Sequence, residues 1–170
     1  VAITHPDLQM PNLIIHLARM VHTPIGNAPS GMILWQPDVT MPPAIIGFVS
    51  TDSSVGAYFG PNIFAGTPFE SVPVLPAAIN IEINEREAFA KCVTGDYIFE
   101  MTLKSFSEPS LVSRNPSSMP PFYQQGVEVQ AAEAHIKING EEISFIIPPV
   151  GITGGPASVV APNGVYARWL

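Results

Sequence analysis

Four histidines and one cysteine are the groups in this 170-residue chain best suited to ligate a metal or move a proton. His16 and His22 stand six residues apart, so on a regular strand their side chains share a face. Two imidazoles and a carboxylate make a sufficient donor set for zinc. The spacings that make such a site specific, His-x-His or His-Glu-x-x-His, are missing, so an incidental role for both is the weightier expectation. Cys92 stands alone, which excludes an intrachain disulfide and a four-cysteine metal centre. As a nucleophile it would need a histidine such as His135; burial as a small apolar side chain is its default role. No cofactor is expected.

Other constellations are no sharper. Asp96, Glu100, Glu128 and Glu133 could pair as glycosidase acids, but acids on the polar faces of strands are mostly just solvated. There is no Gly-x-Ser-x-Gly elbow, and Thr153, Gly154, Gly155 and Pro156 lack the lysine and spacing of a phosphate loop. Trp35, Tyr58, Tyr123 and Trp169 fall in or near expected loops and strand ends, where they could stack against a sugar ring or another ligand. Core packing explains most aromatics in a small β domain. Tyr123 is the least easily explained that way, because it falls in a long proline-rich stretch.

Composition narrows the classes further. Charged residues are 12% of the chain, against about 25% in an average globular protein. The apolar excess must enter a core or a contact with another protein, and homo-oligomerisation is expected. Net charge is −7, and the seven basic residues are scattered, which argues against nucleic acid and anionic membrane surfaces. No apolar run reaches the roughly 18 residues that a spanning helix needs. The first residues show neither a basic nor an apolar signal region, so a soluble chain without a signal peptide is expected, its compartment open. The length suits one domain over residues 1–170.

These groups must be carried by short strands, since 19 prolines and 13 glycines leave little room for long helices. Asn139 and Gly140 form the strongest short hairpin signal, with period-two alternation on both sides across residues 127–147. Residues 78–104 alternate in the same way and predict a three-stranded meander. Residues 12–23 match a helix and a strand; the flanking prolines favour a strand. Strands are also expected over 31–36, 44–50 and 57–59, with a broken edge strand at 69–75. Residues 25–30 and 105–125 read as loops, and Pro162, Asn163 and Gly164 as a second hairpin turn between 157–161 and 165–170. The sum is an all-β antiparallel sandwich, jelly-roll-like, of about ten short strands.

Residues 13–17, then Val21, His22, Thr23 and Pro24, then Gly31, Gln36, Pro42 and Pro43, resemble the opening of a small bacterial family of unassigned function. The resemblance covers the first quarter of the chain, and His22 stands where that family has asparagine. Its motif consists of turns and strand ends, so it implies a β-rich domain and no activity. The leading expectation is a non-enzymatic binding or assembly module that self-associates, its ligand unknown. One rival is a hydrolase or metal-dependent enzyme using His16 and His22. Another is a secreted lectin-like or toxin-like protein with a glycan or protein partner at a cell surface.

Overall fold

A computed structural model of the chain describes residues 1–62, 64–116, 123–152, 154–161 and 165–166, which form a mostly β fold of two sheets. In chain order the strands are β1 (Leu13–Thr23), β2 (Gly26–Trp35), β3 (Ile45–Ser50), β4 (Val74–Pro76), β5 (Ala78–Ile83), β6 (Glu87–Thr94), β7 (Tyr97–Phe106), β8 (Ser110–Arg114), β9 (Gln124–Ile138), β10 (Glu141–Glu142), β11 (Val159–Val160) and β12 (Val165–Tyr166). One short helix, α1 (Ser53–Ala57), follows β3. The first sheet runs β12-β1-β2-β3-β4 and the second β10-β9-β7-β6-β5, with β8 and β11 also paired to β9. Among the described residues no helix is long and apolar enough to cross a membrane.

The first sheet is not purely antiparallel as expected: β12 lies parallel to β1, and β4 parallel to β3. Residues 12–23 are strand, but 25–30 are no loop. β2 begins at Gly26 and runs straight through Pro29. Proline has no N–H for the ladder, and a central strand tolerates it only at an irregularity. Ala18 faces Ser30 and Val21 faces Ala28, so Arg19 and Met20 together oppose Pro29 in a β-bulge. The bulge shifts the alternation of β1: Ile14, Ala18 and Val21 all enter one core cluster, with Met32 and Phe48, whereas Leu13 and Ile15 enter the other.

That first cluster covers the outer face of the first sheet. Residues 57–59, expected as strand, are helical instead. Asp52 caps α1 by accepting from the Ser54 and Val55 amides at 2.8 and 3.1 Å, and a π-helical turn (Tyr58–Asn62) continues the coil. Val55, Phe59 and Phe64 are thereby laid over Phe48, the Phe48 and Phe64 rings 5.3 Å apart.

In the second sheet the meander forms as its alternation predicts. Asn139 and Gly140 make the expected two-residue turn, both at positive φ (52° and 85°), and set Ile138 opposite Glu141. Within the stretch expected as a loop over 105–125, residues 110–114 form β8 and pair with residues 124–128 of β9; residues 117–122 lie outside the described residues. Phe106 faces Ala131 and Ser110 faces Glu128, so three residues, including Pro109, oppose two, and again a proline sits at a bulge. The flanks of the second Asn-Gly signal form no hairpin: β11 joins β9 in one sheet and β12 joins β1 in the other. The turn residues themselves lie outside the described residues.

Two joints tie the sheets together. At one, β4 and β5 are consecutive but belong to different sheets, and the intervening Ala77 N–H donates to the Ser50 carbonyl at 2.9 Å. At the other, Ala2 bridges to Leu13 while Ile3 bridges to Ile146 beyond β10. Between the joints lies the second core cluster, which includes Leu13, Ile33, Val49, Cys92, Phe99 and Ile138.

Gly31 tests this packing. A Cβ there would stand 2.1 Å from the His16 carbonyl oxygen, a backbone atom held in the ladder. Gly31→Ala is expected to lower stability in urea unfolding by about 3 kcal/mol. Gly126→Ala, which meets open space, should change it by less than about 0.5 kcal/mol.

Candidate functional site

Away from the joints the sheets do not close on each other. Among the described residues the outer edge of β1 carries Ala2 at Leu13 and β12 at Val21 and His22, with nothing paired between. Leu13 exchanges both backbone bonds with Ala2, so alternation directs the N–H and C=O groups of Ile15 and Leu17 to the same edge. There a cleft of about 970 Å³ runs along β1, reaching from Met32, Phe59 and Phe64 on the outer face round the strand edge and in between the sheets.

Side-chain size explains the space. Where the joints hold the sheets, β6 and β7 turn Cys92 and Phe99 inward. Nearer the cleft the inward positions of the second sheet include Ala88, Ala90 and Ala134, all of which line it. Methyl groups leave more room at these positions than larger side chains would, although Ala88 and Ala134 also pack with Leu103, Met101 and Ile83 in a third core cluster. Ile15 and Leu17 line the opposite wall. The surface is mainly aliphatic.

Few polar groups reach the cleft. Glu128 lines it and is held by Arg114 in a two-pronged ion pair, Nη1 to Oε1 at 2.8 Å and Nη2 to Oε2 at 2.7 Å. Both side chains are largely buried, and the Arg114 Nη1 also donates to the Gln124 Oε1 at 3.2 Å. The pair locks the far part of the long hairpin, spanning β8 and β9. His16 is half-buried and borders the cleft from the outer face of β1, the face it shares with Ile14, Ala18 and the opposing Met32. Desolvation pushes its pKa below the ordinary imidazole value, and the opposing pull of the Glu128 charge is smaller. The imidazole is therefore neutral at neutral pH.

The two histidines singled out by spacing are not brought together. The bulge at Arg19 and Met20 inserts one residue between them, so His22 turns to the face of β1 opposite His16. Among the described residues no three His, Cys, Asp or Glu side chains are grouped to hold a metal ion. Cys92 is buried between the sheets, which drives its pKa up to about 12 and keeps it a thiol. His135 lies on the other, exposed face of β9, where its Nδ1 is 3.4 Å from Glu142. The carboxylates are scattered as well: Glu100 bonds Lys91 at 3.0 Å, Glu133 accepts from Ser105, and Glu128 is committed to Arg114.

The aromatics likewise spread out. Trp35 ends β2 and packs against the core between the sheets, Tyr58 opens the π-helical turn, and Tyr123 stands exposed at the start of β9. Of these three only Tyr123 borders the cleft. Trp169 lies outside the described residues. Neither the cleft nor the Arg114 ion pair was anticipated from motifs; the alternating alanines at 88, 90 and 134 were the available signal.

No family model, no curated protein and no solved structure matches this chain.

His16 makes the fold sensitive to acid. Its folded-state pKa is depressed, so the unfolded chain binds the proton more readily. Its contribution is undiminished above the ordinary imidazole value of about 6.5 and is lost as the pH falls below that toward the folded-state value. Thermal melts between pH 7.5 and 5 should show a fall in Tm that His16→Gln makes shallower.

Proposed function

We propose that this chain is a non-enzymatic binding module whose ligand seats in the cleft between the two sheets. The observation that carries the reading is the cleft itself. Its volume of about 970 Å³ stands near the top of the roughly 300–1,000 Å³ typical of small-molecule sites, and its walls are aliphatic. On this reading the two sheets act as the layers of an incompletely closed sandwich of jelly-roll kind, and the unfilled part is the functional part. Self-association belongs to the same proposal, supported by exposed apolar side chains such as Leu111, Met41 and Val150. The bacterial family that the first quarter resembles adds β-rich architecture and no chemistry.

The rival readings draw less support. An enzyme or metal site built on His16 and His22 has to contend with their opposite faces. A lectin-like or toxin-like surface has only Tyr123 near the cleft among the described candidate aromatics.

The test is saturable binding of a neutral apolar dye, Nile red, followed by fluorescence. One dye per chain is expected. Ala134→Phe, which puts a ring into the cleft, should weaken binding by about tenfold while leaving the far-UV circular dichroism unchanged. Non-saturable uptake, or uptake untouched by Ala134→Phe, would sink the cleft reading. Native mass spectrometry with and without a chelator tests the rest: an oligomer free of metal is expected, and a stoichiometric metal removed by the chelator would restore the enzyme reading.

A further inference from the structure

We infer that the cleft takes an amphipathic anion, a long-chain carboxylate, with its tail between the sheets and its headgroup on Arg19. The inference rests on the cleft reading above and deepens it. Only three titratable side chains apart from Tyr123 line the cleft among the described residues: His16, Arg19 and Glu128. The Glu128 charge is neutralised by Arg114. His16 is uncharged at neutral pH, for the reason given above. Arg19 remains, exposed, with no carboxylate partner among the described residues. Val1 also lines the cleft, but its amino group donates to the Ala157 carbonyl at 2.9 Å and burial lowers its pKa to about 6. In a chain of net charge −7, the Arg19 guanidinium is therefore the cation at the cleft that stays charged and asks for a complement.

Its placement fits an amphipath. Leu13, Ile15 and Leu17 occupy alternate positions of β1 ahead of the bulge, and Arg19 is the first bulge residue, so an apolar stripe ends at a cation. At about 3.3 Å per residue the stripe is roughly 20 Å long, the scale of an extended dodecyl to hexadecyl chain. The opposite wall is supplied by aliphatic and alanine side chains such as Ile83, Met101 and Ala134. A guanidinium presents paired N–H donors that match a carboxylate in two-pronged geometry.

Titration of the full chain with sodium dodecanoate and 1-dodecanol, below their aggregation limits, separates head from tail. The acid is expected to bind about fivefold more tightly than the alcohol at low ionic strength, with the preference shrinking in 1 M salt. Arg19→Gln should erase the preference and leave the alcohol affinity unchanged; Arg19→Lys should keep part of it. Equal affinities in the parent chain, or equal loss for both ligands in Arg19→Gln, would overturn the anion assignment while the cleft reading stands. Tighter binding of dodecyltrimethylammonium than of dodecanoate would overturn it too. Binding of none of these ligands would bring down the cleft reading and this inference together. Arg19 is exposed, so its variants should keep the parent Tm, and that melt is the control for folding.

Discussion

The backbone ladder of β9 carries the larger sheet. Its 15 residues bond β7 and β8 on one edge and β10 and β11 on the other. A strand of that length accumulates twist, and a flat partner could not follow it. The bulge at Pro109 and the positive φ of Ser105 let the 97–114 arm bend with it, and the Arg114 to Glu128 pair fastens the far portion. β9 thus carries the ladder that joins the meander to β10 and β11.

The cleft follows from where the two sheets are tied. Ala77 holds one side and the Ala2, Ile3 stretch the other, and both joints flank the cluster built on Leu13, Phe99 and Ile138. Large side chains close the sheets there. Alanines on β6 and β9 leave them apart further along. The same alternation that buries a core thus also hollows it, by a change of residue size and not of pattern.

The Asn139 and Gly140 turn with its upstream arm, the 78–104 meander and the strand at 12–23 were legible in the sequence, because each depends on neighbours only a few residues away. The downstream arm was not, since the strand stops at Glu142, short of the alternating residues 143–147. Three further features were not. Thr51, Asp52, Ser53 and Ser54 look like turn formers, and only the packing of Val55 and Phe59 on Phe48 shows that Asp52 is a helix cap. Pro29 and Pro109 look like strand breakers, yet each sits where two strands differ by one residue, a property of pairing and not of either strand alone. The joint orientation of His16 and His22 depended on that same bulge, which is why equal parity misled. Legibility of the candidate site was lower still, since a void is a statement about residues from β1, β6 and β9 at once.

The unpaired stretch of β1 also bears on how copies of this chain behave when crowded. An open strand edge ordinarily invites another chain to extend the sheet. Here the open groups, those of Ile15 and Leu17, lie between the Ala2 bridge and β12, and the run is interrupted at Arg19 and Met20. An incoming strand would find only a short uninterrupted register. Sheet-to-sheet polymerisation through this edge is thereby limited by its flanks and by the bulge, so Ala2 and β12 guard against aggregation as well as holding the fold.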